Sequence, residues 1–325
     1  MNRAKPRVTK VLVERRARAL KRHLKAAIDG DGTGVHHARV ASRRLREAVP
    51  VLATGLKGSK AAKAQRKIRK LTRALGIVRE SDVTLTVLDE LAARETLPRL
   101  ALEEVRTHVV ENRERHRAAM LKRLERVNRD KLDRRLTSVA DALQNAESED
   151  WREPLSAKVL KRGKALTAAI GDAGQLYNPD RLHNVRIAVK KLRYVLEIAA
   201  ETGVRAAAAP VRALKRMQDS LGRLHDLQVL QTHVAAVQAA PRQNLPDGAL
   251  NTIARAIEDE CRHLHGRYIA AVPQLTGVVE IAKRDVVPQI VRPKARSRAL
   301  KMTLTARSHG RAKVPAVAVA SARRG

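Results

Sequence analysis

Val35 to Arg46 reads V-H-H-A-R-V-A-S-R-R-L-R, and Leu182 to Arg193 reads L-H-N-V-R-I-A-V-K-K-L-R. Aligned without gaps, His36 falls on His183, Arg39 on Arg186, Arg43 on Lys190, Arg44 on Lys191, Leu45 on Leu192 and Arg46 on Arg193. At 100° per residue with His36 as zero, Arg39 lies near ~300°, Arg43 near ~340° and Arg46 near ~280°. Ala38, Ala41, Leu45, Ala48, Val49 and Leu52 occupy the opposite face. The second copy sets His183, Arg186, Lys190 and Arg193 against Val185, Ala188, Leu192, Val195 and Leu196. Both stretches predict amphipathic helices whose polar face is a cationic stripe. The copies are 147 residues apart, too far for a solenoid repeat and right for a duplicated domain.

The similarity extends outward. From Arg66 the chain reads R-K-I-R-K-L-T-R-A-L-G, and from Arg212 it reads R-A-L-K-R-M-Q-D-S-L-G. These predict a second pair of basic helices, in which Asp219 stands where the first half has Arg73. Gly76 and Gly222 are expected as glycines just past the helix ends. Beyond them Arg79 matches His225 and Glu80 matches Asp226, whereas Gln228 stands opposite Asp82. Ala, Leu, Arg, Lys and Glu dominate and β-alternation is scarce, so the chain reads as all-α. A first helix is expected over Thr9 to Ile28. Thr33 is the expected N-cap of the helix bearing the first motif, and Asn178 followed by Pro179 and Asp180 opens the second. The acidic Glu147 to Asp150 marks the join. Expected domains are residues 1–150 and 151–286, with a Pro-punctuated basic tail, without a packed core of its own, over 287–325.

Composition narrows the partner. Lys and Arg number 67 against 33 Asp and Glu, a formal net charge of +34 over 325 residues, which calls for a polyanion. There is no Phe, one Trp (Trp151) and three Tyr (Tyr177, Tyr194 and Tyr268). Stacking platforms for single-stranded nucleic acid are therefore scarce, and recognition by charge rather than by bases is expected. Cys261 is the lone cysteine; it is read as a buried thiol, with no disulfide and no thiolate zinc site. No apolar run is long enough for a signal or a membrane span, so a cytoplasmic protein without membrane insertion is expected.

An ordinary solvated helix face mixes signs, because like-charge pairs cost a few tenths of a kcal/mol; recurring cationic stripes point to a bound anion. His36 and His183 begin their stripes near helix N-termini, where imidazole and free backbone N–H groups can donate to a phosphate oxygen. Neighbouring Arg lowers such a histidine's pKa until an anion arrives.

The repeated H-x-x-R-x-x-x-R/K-R/K-L-R, followed each time by a basic helix and L-G-x-x-R/H-E/D, resembles the CHAD family, named for conserved histidines in an α-helical domain. The match runs from about residue 8 to residue 275. The resemblance implies two four-helix bundles related by pseudo-twofold symmetry, with a basic central cleft or pore that binds inorganic polyphosphate. It also implies association with polyphosphate granules; some members carry a CYTH-type triphosphatase domain. The candidate binding set is His36, Arg39, Arg43, Arg44, Arg46, Arg66, Arg69, Lys70, Arg73 and Arg79 in the first half. In the second half it is His183, Arg186, Lys190, Lys191, Arg193, Arg212, Lys215 and Arg216.

A nucleic-acid or nucleoid protein is the alternative that the charge supports, through the basic surface or the tail, although no helix carries the Asn, Gln and Arg cluster of base readout. A phosphohydrolase is the weaker alternative. The E-x-E at Glu147 to Glu149 is followed by Asp150 and Trp151 rather than completing the metal-holding E-x-E-x-K of a CYTH enzyme. There is no Walker A sequence, and D-G-D-G-T does not continue into a calcium loop. No catalytic residue, metal or cofactor is expected.

Overall fold

The helical periodicity read from the sequence is realised throughout the described residues. The computed structural model describes residues 7–94, 96–145, 151–240 and 245–291, and among these there is no β-strand. The first part contains α1 (Val8–Ile28), α2 (Gly32–Leu52), α3 (Lys60–Ala92), α4 (Arg99–Glu125) and α5 (Arg129–Gln144). The second contains α6 (Arg152–Ala173), α7 (Pro179–Glu201), α8 (Ala208–Ala239) and α9 (Ala249–Ile281), then a π-helical turn (Ala282–Val286) and α10 (Val287–Val291). The acidic join at 147–150 and the tail at 292–325 lie outside the described residues. No helix among the described residues is long and apolar enough to cross a membrane.

Sequential helices pack as neighbours: α1 on α2, α2 on α3, α3 on α4, and likewise α6 on α7, α7 on α8, α8 on α9. The break at residues 126–128 sends α5 back onto α1 and α3, so five helices precede residue 145. The two parts meet where α2 lies against α7 and α3 against α8, with α4 also touching α8. The predicted apolar faces are the buried ones. Leu45, Ala48, Ile68, Leu71, Leu75, Val185, Leu192 and Val195 are all fully buried, each large aliphatic contributing about 1.5–3 kcal/mol. One apolar cluster belongs to α1–α5; a larger one runs from Leu12 in α1 to Ile290 in α10 and so joins both parts.

Three local expectations are corrected. The N-cap of α2 is Asp31, whose carboxylate accepts from the backbone N–H of Thr33 and of Gly34, both at 2.9 Å. Thr33 is already inside the helix. A carboxylate serves better there because it answers both the unpaired amides and the positive end of the helix dipole. Gly76 and Gly222 end nothing: α3 and α8 run through them, and neither has the left-handed φ of a terminating glycine. Finally, the helical path continues through Val291 with Ile290 fully buried, five residues into the expected tail, because an apolar side chain there completes the larger core.

Candidate functional site: a cationic cluster between α2, α3, α7 and α8

His36 is the fifth residue of α2 and His183 the fifth of α7, and the stripes below them converge. Arg39 and Arg43 of α2 stand within electrostatic reach of Arg186 and Lys190 of α7. Arg79 of α3 and His225 of α8 join the same neighbourhood. Lys190 is only 7% exposed; Arg39, Arg43 and Arg186 are partly buried. Among the described residues none of these four cations has a carboxylate within 4.0 Å. The Nε atoms of Arg39 and Arg186 are buried without a hydrogen-bond partner.

The pKa shifts follow from this crowding. Burial first, then Arg43, Arg186 and Arg39, push the Lys190 ammonium down to about 6. Arg39 is lowered to about 10 by burial and by Arg43, still charged at neutral pH. His225 falls to about 4 through burial, Arg186, His183 and Lys190. His36 and His183 are lowered as well, by burial first and then by the nearest arginines. Two acids lie close, Glu80 and Asp226, but neither forms an ion pair with the four cations, and burial raises the Asp226 carboxyl.

Around these cations the packing is specific. The Arg39 side chain lies against α3 at Gly76, where an added Cβ would sit at ordinary contact distance, 3.8 Å from its Nε. Tyr194, 6% exposed, lies under the Arg43 guanidinium at 5.7 Å and the Arg193 guanidinium at 4.6 Å. His183 and His225 face each other with Nδ1 atoms 3.3 Å apart beside a cavity of about 430 Å³ that also reaches Asp180 and Gln228. The larger cavity of about 600 Å³ between α1 and the α4–α5 corner holds none of the predicted site residues.

The structure sorts the candidate set into three groups. His36, Arg39, Arg43, Arg79, His183, Arg186 and Lys190 come together in the cluster. Arg44, Arg46 and Arg193 instead hold carboxylates. Arg44 Nε lies 3.4 Å from Glu197, Arg46 Nε lies 3.6 Å from Glu47, and buried Arg193 bonds Glu197 and Gln218. Arg66, Arg69, Lys70 and Arg73 on α3, Lys191 on α7, and Arg212, Lys215 and Arg216 on α8 are exposed and unpaired among the described residues. In helical register Arg69 and Arg73 lie within about 60° of Gly76, so they extend the face on which Arg39 rests. The amides at the start of the two motif helices are less available than the sequence implied, since Asp31 takes Thr33 and Gly34 and Asn178 takes Arg181.

Sequence reasoning left out Tyr194, His225, Glu80 and Asp226. Three of them carried a signal, the Arg79/His225 and Glu80/Asp226 correspondence between halves. Tyr194 carried none, because its role depends on two guanidiniums from different helices. Cys261 is buried as expected, and burial raises its thiol.

Fold and site thus define a class: an all-helical protein with a partly buried, unneutralised cationic cluster where its two motif copies meet. The sequence matches the CHAD domain over residues 11–235, and the chain belongs to that family. Its fold is similar to the crystal structure of the CHAD domain from the plant Ricinus communis, with a TM-score of 0.54 and 21% identity, covering 86% of this chain and 92% of that one. It is also similar to PptA from Streptomyces chartreusis, with a TM-score of 0.58 and 15% identity, covering 83% of this chain and 99% of that one. No curated protein matches the sequence.

Proposed function

We propose that the chain binds inorganic polyphosphate, without catalysing a reaction, in a basic cleft centred on Arg39, Arg43, Arg186 and Lys190. The observation that carries this reading is the packing of those four side chains against one another with no carboxylate within 4.0 Å among the described residues. Crowding like charges at partly buried positions costs free energy, and a bound polyanion offsets it. Linear polyphosphate suits the place: dense charge, no bases to stack, and oxygens that accept bidentately from Arg. His36, His183 and Arg79 flank the grip, and the exposed cations of α3 and α8 continue it outward.

In this reading the halves are an internal duplication, a bundle within residues 1–150 and another from 151 onward, with α5 the additional helix of the first. The family resemblance supports a location at polyphosphate granules in the cytoplasm. A nucleic-acid role through the outer basic surface is the second reading, supported by the +34 charge.

A salt-controlled titration with long-chain polyphosphate, competed by duplex DNA of equal phosphate content, separates the two. Tight binding that DNA does not displace supports the cleft; displacement by DNA supports the second reading. Charge reversal at Arg39, Arg43, Arg186 and Lys190 abolishes polyphosphate binding while circular dichroism stays helical. Unchanged affinity in that variant sinks the assignment. Phosphate release with added magnesium or manganese tests the non-catalytic part, and steady turnover overturns it.

A further inference from the structure

On a different face of α2 the structure places a second group of basic side chains. His37 and Arg44 are turned by roughly 120° around α2 from the Arg39/Arg43 stripe. They border, with Arg15, Arg16 and His23 of α1 and Glu201 of α7, a cavity of about 440 Å³. The His23 and His37 rings stand 4.8 Å apart, and among the described residues neither ring nitrogen has a hydrogen-bond partner. Arg16 is 5% exposed. Its guanidinium reaches Glu201 at 3.1 Å and the Arg44 carbonyl at 2.9 Å, yet its buried Nε has no partner. The Arg44 Nε is likewise buried without a hydrogen bond, although the Glu197 carboxylate lies 3.4 Å away. Glu201 is shared between Arg15 and Arg16.

Charge decides what fits such a place. Three guanidiniums meet two carboxylates, Glu201 on Arg15 and Arg16 and Glu197 on Arg44, so the cavity keeps a net positive charge even with both imidazoles neutral. Two free imidazoles at this separation and unspent guanidinium N–H groups match the several acceptor oxygens of a tetrahedral dianion. Burial, the partner ring and Arg22 all lower the His23 pKa; an anion bound at the ring nitrogens reverses that.

We propose that the α1/α2 cavity is a separate binding site for a single phosphate dianion, held at the ring nitrogens of His23 and His37 on the cavity side and backed by Arg15, Arg16 and Arg44. It takes one compact phosphate where the cluster between α2 and α7 takes a chain, and it does not depend on occupancy of that cluster.

The test is an NMR titration of the imidazole signals of the full chain, assigned through His23→Gln and His37→Gln, in chloride and in inorganic phosphate at matched ionic strength. The pKa values of His23 and His37 both rise by about half a unit or more in phosphate. The rise saturates in the low millimolar range, and the response of each ring is lost when the other is replaced. The double variant Arg39→Glu/Lys190→Glu keeps the response, and Lys190→Met serves where that double variant does not fold. The His23→Gln/His37→Gln protein keeps its affinity for long-chain polyphosphate, so the cleft reading and this one fail separately. Equal pKa values in phosphate and chloride overturn the proposal, as does a response that never saturates or that disappears with the cleft cations.

Discussion

Lys190 shows what the cluster costs and what it is for. Its ammonium is faced by Arg39 and Arg43 from α2, Arg186 from its own helix and Asp226 from α8, and it is driven to about 6. Between that value and the ordinary lysine range the unfolded chain holds a proton that the folded chain has given up. Stability therefore falls as pH drops through this window and levels off below about 6. Replacing Lys190 by Met removes the burden while filling the same space, so the melting temperature rises, by on the order of 1–3 kcal/mol in stability. The gain is larger at pH 7 than at pH 9.5. The same variant weakens polyphosphate binding. For the wild type, the bound chain restores the proton to Lys190, so affinity grows as pH falls from 8 to 6, by up to about tenfold per unit, and Lys190→Met flattens that slope. Calorimetry in buffers of different ionisation enthalpy reads the proton directly: uptake on binding is expected, and its absence removes Lys190 from the contact.

At the scale of the element, the hydrophobic faces were legible because a 3.6-residue period needs nothing but local sequence, and Leu45, Ile68, Leu71, Leu192 and Val195 are all buried where the pattern put them. Helix ends were less legible. A glycine after a periodic run reads the same whether the helix stops or passes through, and what keeps α3 and α8 going is packing of Val78 and Leu224 beyond it, which lies outside the local pattern. This difference is measurable. Nothing lies within 4 Å of a Cβ built on Gly222, and the nearest atom at Gly76 is at ordinary contact distance. Gly222→Ala therefore stabilises by about 0.5–1 kcal/mol, the helix-interior gain over glycine; a terminating left-handed glycine would lose stability instead. Gly34→Ala has the opposite sign, because its Cβ would come within 2.7 Å of Ala26 and of the Ala27 amide. The α1/α2 contact must open there, and a loss of about 1–3 kcal/mol is expected. Thermal denaturation of the two variants side by side checks both.

Across the whole molecule, the acids determine which cations of the repeated stripes remain for a polyphosphate chain. Glu47 takes Arg46 and Lys158, Glu197 takes Arg44 and Arg193, Glu201 takes Arg15 and Arg16, and Glu260 takes Arg94 and Arg223. Most of these ties run between the two parts of the chain, and none reaches Arg39, Arg43, Arg186 or Lys190. Sequence placed Arg39, Arg43, Arg46, Arg186, Lys190 and Arg193 on polar stripes, but did not show that Arg15, Arg16, Arg44, Arg94, Lys158 and Arg223 hold carboxylates of other helices. Arg46 and Arg193 look equivalent to Arg39 and Arg186 in the repeat, but Arg46 lies beside Glu47 and Arg193 bonds Glu197 one turn along its own helix, where Arg39 and Arg186 have Arg43 and Lys190; that difference was present in the local sequence. Paired variants test that partition. Glu197→Gln leaves buried Arg193 without its counter-charge and Arg44 without its tie to α7. A cost near the 3–5 kcal/mol range for breaking a buried pair is expected, with no loss of polyphosphate affinity once the protein is kept below its lowered melting temperature. Arg39→Gln removes a charge that no carboxylate among the described residues pairs with within 4.0 Å. Stability changes by less than about 1 kcal/mol, while affinity falls by tenfold or more and the dependence of binding on salt becomes shallower by about one released counterion. Were Glu197→Gln to weaken binding as much as Arg39→Gln does, the distinction between cations that hold the fold and cations that hold the ligand would be lost.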